Sequence, residues 1–89
     1  MMYSIETTPR FEKEFKKLDH YTKRMIQVWI HKHLEDCEDP RIIGKALKSN
    51  RAGQWRYRIG SYRLICQIID DRMVILALSI GHRKEVYKK

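Results

Sequence analysis

Five side chains near the end of the chain are of the types that bind and act on an RNA phosphate: Arg56, Arg58, Arg63, Arg83 and Tyr87. Segment 54–59 alternates apolar and polar residues, so a strand there would send Arg56 and Arg58 to the same face. Arginine stays protonated, and its planar fork holds two phosphate oxygens at once. Neighbouring cations repel each other unless an anion lies opposite. The pattern therefore predicts a polyanion-binding site on one face of a sheet.

The charge distribution supports this interpretation. The net charge of +8 is uneven: residues 1–40 have a net charge of −1, and residues 41–89 have a net charge of +9. Such asymmetry indicates a nucleic acid or an acidic protein as partner. The alternative is a basic surface that serves only solubility. We favour the polyanion because the cations fall within strand-like segments rather than in a tail.

The length and composition predict one folded domain, residues 1–89, with 43% hydrophobic residues. Cys37 and Cys66 have no Cys-x-x-Cys spacing or metal-spaced histidines, so we expect small buried hydrophobes and neither a disulfide framework nor a zinc site. The N-terminus has no signal-peptide pattern, and the longest apolar run, 73–78, is too short to span a bilayer. A cytoplasmic protein without membrane association or cofactor is expected.

Two amphipathic helices are predicted in the first half of the chain. Thr8 and Pro9 have the residue types of an N-cap and a first helical position, and apolar residues follow at i, i+4 and i+7 over 11–18. Asp19 can cap a second helix, whose apolar period continues to Cys37. The short link between them predicts an antiparallel helical hairpin.

Four strands are predicted around this hairpin. The last two are almost continuously apolar, so they should be the central, covered strands. Gly60 and Ser61 form a predicted tight turn. The predicted strands are 2–7, about 54–59, 62–69 and 73–80.

The order of elements predicts an α+β fold. It has an N-terminal strand at a sheet edge or paired with a later strand, then the two-helix hairpin, then a three-stranded antiparallel meander. The helices are expected to pack on one face of a small twisted sheet. Residues 41–53 should form a loop, with a possible short pairing at Ala46 and Leu47. The face with Arg56 and Arg58 is then left open.

Two segments resemble the RelE/ParE toxin superfamily of bacterial type II toxin–antitoxin systems. They are Gly60–Asp70, which reads GSYRLICQIID, and Ile80–Tyr87, which reads IGHRKEVY. Segment 11–18, FEKEFKKL, is similar to the first helix of the family. The resemblance covers nearly the whole chain. It implies a RelE-like fold and, in the RelE branch, a metal-independent ribonuclease that cuts mRNA in the ribosomal A site. That reaction uses 2′-hydroxyl attack and leaves a 2′,3′-cyclic phosphate or a 3′-phosphate.

The resemblance also implies roles for single residues. In the RelE branch two basic residues alternate on the strand before the turn, an arginine starts the next strand, and an arginine and a tyrosine follow the last strand. The matching positions here are filled by Arg56 and Arg58, by Arg63, and by Arg83 and Tyr87. We take Arg58, Arg63, Arg83 and Tyr87 as the catalytic candidates and Arg56 as an RNA-binding candidate. Further RNA-binding candidates, which the resemblance itself does not supply, are His82, Lys84, Lys48 and Arg51.

The chain departs from the family at the alternating pair, which is commonly lysine. Arg56 and Arg58 cannot act as general bases, because arginine stays protonated. They are therefore predicted to stabilise charge. The candidates for proton transfer are Tyr87, His82, Arg83 and the ribosome, and the sequence does not distinguish among them.

The implied partners are the ribosome, mRNA and a cognate RelB-like antitoxin, partly acidic, in a hetero-oligomeric complex that binds DNA through the antitoxin. Two other functions stay open. ParE-like members share the scaffold but inhibit DNA gyrase through protein contacts. A basic RNA-binding module without catalysis is the third reading, because no unambiguous general base is visible.

Several side chains also have structural interpretations. Arg63 could form an ion pair with Asp70, Asp71 or a helix carboxylate. His33 is expected in the core or at its boundary. Three aromatic residues are expected in the core (Trp29, Trp55 and Tyr57), and two histidines in solvent (His20 and His31).

Overall fold

The structure, a computed structural model, describes residues 2–82. It confirms the α+β fold and the predicted order of elements. The helices are α1, Pro9–Lys16, and α2, His20–His33; the strands are β1, Ser4–Thr7; β2, Lys45–Ala46; β3, Gln54–Ile59; β4, Tyr62–Ile69; and β5, Val74–His82. Two short 3-10 turns lie at Ser49–Arg51 and Asp70–Arg72. The candidates Arg83, Lys84 and Tyr87 lie outside the described residues.

Both helices begin where their capping residues predict. The Thr8 side chain accepts a hydrogen bond from the Phe11 backbone N–H at 3.2 Å, and Pro9 occupies the first turn of α1. Asp19 caps α2 by accepting from the hydroxyl and backbone N–H of Thr22. These bonds stabilise the carboxylate and hold the pKa of Asp19 below its usual value.

The predicted continuation of the helical period to Cys37 is wrong, because α2 ends at His33. The chain turns at Asp36, which has a positive φ of 62°. Its backbone then pairs with the start of the chain: Asp36 N–H donates to Tyr3 O, and Tyr3 N–H donates to Cys37 O, both at 2.9 Å. Long-range backbone pairing therefore replaces the last predicted helical turn.

The five strands form one sheet in the order β1-β5-β4-β3-β2. The neighbours among β2 to β5 are antiparallel, while β1 pairs in parallel with β5. The nearly continuous apolar sequences of β4 and β5 correspond to inner positions, as predicted. The turn between β3 and β4 uses Gly60 at φ 60°, where a side chain would be strained.

The helices cover one face of the sheet. Tyr57 is fully buried between the layers, with its ring 6.0 Å from that of Trp29, and its hydroxyl donates to Pro40 O at 2.6 Å. Burial raises the pKa of this phenol well above its usual range. Trp29 and Trp55 are half-buried against the core, as predicted. The other fully buried side chains of the core include Ile26, Leu34, Leu64, Cys66 and Ile75.

Two predictions for single residues need correction. His33 is exposed and contacts the face of Trp29 rather than entering the core. Cys37 is half-buried, while Cys66 is fully buried and its pKa is raised by burial. His20 and His31 are exposed, as expected. Within the described range, neither helix is long and apolar enough to cross a membrane.

A network of polar side chains lies at the turn between β4 and β5. Arg41 holds both oxygens of Asp70, at 3.0 and 2.7 Å, and the Tyr3 hydroxyl donates to the same carboxylate at 2.6 Å. These bonds lower the pKa of Asp70. Asp70 follows the end of β4 and Arg63 lies near its start. The interpretation of Arg63 as a partner of Asp70 is therefore wrong.

Candidate nucleic-acid interface

The sheet face turned away from the helices is rich in cations. The alternation predicted for β3 is confirmed: Tyr57 and Ile59 are buried on the helix side, and Arg56 and Arg58 lie on the other side. Strand pairing adds neighbours on that side, because cross-strand partners share a face. Arg58 pairs with Arg63 of β4, and Arg56 pairs with Lys45 of β2. We call the face with Lys45, Arg56, Arg58 and Arg63 the basic face.

Two cations of the basic face, Arg58 and Arg63, lie directly opposite each other on neighbouring strands. Directly opposed residues in an antiparallel pair have Cβ atoms about 4.5–5.5 Å apart, and like charges at that distance destabilise the pair. Arg63 is only 8% exposed. The ion pairs of the described residues involve neither Arg56 nor Arg58. An anionic ligand over Arg56 and Arg58 would relieve the repulsion between cations on this face.

Two buried polar atoms near these cations are unmatched among the described residues, and only the donor, on Arg56, is of the type that an anion could satisfy. The Nε of Arg56 and the Oε1 of Gln54 are inaccessible to solvent and have no hydrogen-bond partner within residues 2–82. Buried polar groups are normally paired, so unmatched ones need an explanation. Both residues lie on the side of the sheet that carries the cations.

A shallow cavity of about 300 Å³ opens beside the basic face. Its floor includes Ile65 and Ser79, which are cross-strand partners on β4 and β5. Cations come from outside the central strands: Arg51 from the turn before β3 and Arg10 from α1. The remaining lining residues are Thr8, Gln54 and Leu78. Such a cavity can hold a phosphate or part of a nucleotide against two guanidinium groups.

The structure brings some of the predicted residues together and separates others. Arg56, Arg58 and Arg63 lie on one face, and Arg51 lines the adjoining cavity. Lys48 is exposed and does not line that cavity. Its predicted contact with RNA stays a prediction.

His82 lies on the other side of the sheet from these arginines. It pairs with Tyr62 of β4, whose partner on β3 is the buried core residue Ile59. The His82 ring meets the edge of Tyr62 with centroids 5.8 Å apart. Together they line a second cavity of about 350 Å³ against α1. RNA contact by His82 stays a prediction that the strand register does not favour.

Two candidates were missed in the sequence. Lys45 joins the basic face only through pairing of a two-residue strand, which no periodicity reveals. Arg10 reads as a solvated position of an amphipathic helix, yet it lines both cavities. A signal for Lys45 did exist, because the predicted pairing at Ala46 would have placed its neighbour opposite β3.

The chemistry available on this face is charge stabilisation. Guanidinium groups can hold phosphate oxygens and stabilise charge that builds in a transition state, but they do not exchange protons near neutral pH. No group of three or more metal-binding side chains occurs in the described part of the chain. A proton-transfer group is not visible on the basic face among residues 2–82.

Comparison with known proteins agrees with the fold. The family model described as "ParE toxin of type II toxin-antitoxin system, parDE" matches residues 5–87. The mRNA interferase toxin RelE of Escherichia coli is 30% identical over 92 residues, with 100% of this chain and 94% of that protein covered. Toxin RelG of Mycobacterium tuberculosis is 27% identical over 90 residues, with both proteins fully covered.

Solved structures give the same result. A RelBE toxin–antitoxin complex of Mycobacterium tuberculosis contains a chain that matches with a TM-score of 0.84 and 25% identity, covering 96% of this chain and 95% of that one. The isolated RelE toxin of Escherichia coli matches with a TM-score of 0.72 and 28% identity, covering 96% and 90%. This chain therefore belongs to the RelE/ParE superfamily of toxins of type II toxin–antitoxin systems.

Proposed function

We propose that this toxin is a ribosome-dependent endoribonuclease that cleaves mRNA in the ribosomal A site and so inhibits translation. The observation that supports it most is the direct pairing of Arg58 with Arg63, flanked by Arg56 and Lys45. Opposed arginines suit the anionic oxygens of a phosphate backbone, which a guanidinium group can hold in pairs. The names of the RelE relatives, which are mRNA interferases, point the same way.

The proposed reaction is attack of a ribose 2′-hydroxyl on the adjacent phosphorus, with departure of the 5′-oxygen. Arg58 and Arg63 would hold the phosphate oxygens and stabilise the negative charge of the phosphorane. Arg56 would bind the neighbouring backbone phosphate. Arg83 and Tyr87 keep the roles implied by the family, as a further charge stabiliser and a candidate for proton relay or base stacking.

Proton transfer is the open step of this proposal. Arginine does not supply it, and His82 faces the helix side of the sheet. Tyr87 and the ribosome are the candidates we favour. A ribosomal target also accounts for the shallow site, because the ribosome itself would position the message. The proposed substrate would make the protein cytoplasmic.

We further propose a RelB-like antitoxin as the regulatory partner, in a hetero-oligomeric complex that binds DNA through the antitoxin. Related structures are toxin–antitoxin complexes. An apolar groove of about 400 Å³ runs between α1, α2 and β1, and its walls include Phe11, Phe15 and Ile30. An amphipathic segment of the antitoxin would bury apolar side chains there.

The decisive experiment is primer extension on a defined mRNA in a cell-free translation system, with and without ribosomes. Wild-type protein should produce cuts only on ribosome-bound message. The double variant Arg56→Gln/Arg58→Gln should abolish them. The matched control Arg24→Gln/Lys32→Gln removes the same charge from α2 and should keep activity. Intact message with wild-type protein would overturn the proposal.

The second candidate is inhibition of DNA gyrase, which the ParE description of the matching family favours. A supercoiling assay separates the two: gyrase inhibition with intact message supports this candidate, and message cleavage with unaffected gyrase supports the nuclease. If the message stays intact and gyrase is unaffected, but the protein still binds RNA, the function that remains is an RNA-binding module.

A further inference from the structure

Among residues 2–82, no strand pairs with the end of β5 on the side of β1. β1 pairs with β5 in parallel, and their last pair is Thr7 with Ala77. The remainder of β5, Leu78–His82, continues past β1. Leu78 lies at a shift in register, and Ser79–His82 are still paired with β4 on the other side. Backbone N–H groups on such a free edge need other partners, and without them the edge frays or pairs with another chain.

Helix α1 takes the place of the missing strand. Its N-cap residue Thr8 donates to Ala77 O, from its backbone N–H at 3.2 Å and from its hydroxyl at 2.9 Å. Two turns later, Glu14 Oε1 accepts from the Ile80 backbone N–H at 3.0 Å. The free edge is therefore held at its start by Thr8 and near its end by a carboxylate.

The carboxylate of Glu14 is itself held in place. Its second oxygen, Oε2, accepts from Arg10 Nε at 3.2 Å, one helical turn earlier. Each oxygen thus has one donor, which fixes the orientation of the carboxylate toward the strand. A carboxylate that accepts from a backbone N–H makes a stronger bond than a neutral acceptor does.

The position of Ile80 connects this anchor with the basic face. Ile80 is paired with Leu64 across the ladder, and the next residue, Gly81, is paired with Arg63. Arg83 follows two residues later in the chain. Movement of the β5 end would therefore displace the backbone opposite Arg63 and the origin of the segment that contains Arg83 and Tyr87.

We propose that Glu14 is a positioning residue, which anchors the end of β5 from the helix side and thereby sets the spacing of the arginines on the opposite face. This role rests on the proposed endonuclease function. Glu14 touches the strand backbone and Arg10, and it lines the helix-side cavity rather than the one beside the basic face. It is not a proton-transfer group for the reaction.

The test compares Glu14→Ala, which removes the acceptor, with Glu14→Gln, which keeps an amide oxygen for Ile80 N–H. Glu12→Ala is the charge-matched control, because Glu12 lies on the same helix and bonds to Thr7 rather than to β5. Amide hydrogen exchange reports the anchor, and kcat and KM on ribosome-bound message report its consequence. The pH profile of cleavage separates positioning from proton transfer.

In Glu14→Ala we expect the amide hydrogen of Ile80 to exchange at least about 10-fold faster than in the wild type. The exchange rates of Val74–Ala77 should be unchanged. The kcat of Glu14→Ala should fall about 10- to 100-fold, as for small misplacements of reacting groups, with KM within about twofold. Glu14→Gln should recover most of kcat with an unaltered pH profile. Glu12→Ala should behave as wild type.

Three results would overturn the proposal: unchanged Ile80 exchange in Glu14→Ala, wild-type kcat in Glu14→Ala, or loss of the acid limb of the pH profile in Glu14→Gln. The last would make Glu14 a proton-transfer group. Failure of the endonuclease function looks different, because wild-type protein itself would then leave the message intact. In that case, faster exchange of the Ile80 amide in Glu14→Ala would still show that Glu14 anchors β5. The proposed effect of this anchor on cleavage would be overturned.

Discussion

The two faces of the sheet are built by the same strands and have opposite physical character. Toward the helices, Tyr57 and Leu64 are fully buried in an apolar core. On the other side, one residue along each strand, Arg58 and Arg63 oppose each other as like charges. The difference teaches that the two-residue period of a strand separates the side chains that form the core from the cations proposed to bind RNA. Substitutions of strand side chains on one face should therefore leave the property of the other face largely unchanged. Glu14 is the expected exception, because it bonds to the β5 backbone, which both faces share.

The largest expected effect is on the helix face. Leu64→Ala removes a fully buried side chain and should lower the free energy of unfolding by about 2–5 kcal/mol, because the cavity is only partly refilled. Chemical denaturation measures this. Below the unfolding transition, cleavage by the folded fraction should persist. A large loss of kcat with little loss of stability would contradict the separation of the faces.

Substitutions on the basic face should reduce cleavage strongly and stability little. Arg58→Gln should reduce cleavage about 100-fold, as for removal of one donor to a transition-state anion, while stability changes by no more than about 0.5 kcal/mol. Primer extension and denaturation in parallel give both values. Arg58→Lys sharpens the result: we expect it to be tolerated if a point charge suffices, and an inactive variant would show that the bidentate fork is needed.

The loop that supports the core offers a smaller test. A Cβ added at Gly44 would lie 2.8 Å from Cε1 of the Tyr57 ring, which is itself held by the bond to Pro40 O. Gly44→Ala should therefore cost about 1–3 kcal/mol through overpacking. Thermal unfolding checks it. The cost should shrink in a Tyr57→Leu background, and an equal cost there would show that the ring is not the obstacle.

The smallest expected effect concerns pH. The folded-state pKa of Asp70 is depressed, chiefly by its bonds to Arg41, so its contribution to stability is present above the unfolded value of about 3.9. It is lost as pH falls through the folded pKa. Asp70→Asn should lower the unfolding midpoint at pH 7, and the difference should vanish in acid. A pH-independent difference would contradict this linkage.

Local patterns predicted most of the fold. The caps at Thr8 and Asp19, the turn at Gly60 and the alternation of β3 depend on neighbours in the chain, and each was confirmed. The end of α2 was predicted too late in the chain. The helix ends where the backbone pairs with Tyr3, a residue more than thirty positions away in sequence. Local periodicity contains no information about such competition.

The candidate site was predicted in type but only partly in geometry. Arg56 and Arg58 follow from the period of one strand. The opposition of Arg58 and Arg63, the addition of Lys45 and the separation of His82 required the register between strands. A shift of one residue in register moves every side chain to the other face.

By itself, then, the sequence determined the helices, the strands and the alternation that separates a core face from a cationic one, because these depend on side-chain chemistry at fixed local spacing. Only the tertiary structure decided which cations meet, that β1 pairs in parallel with β5, and that Glu14 reaches Ile80. Those contacts join residues far apart in the chain. Their geometry is set by strand register and helix docking, which are properties of the whole folded domain.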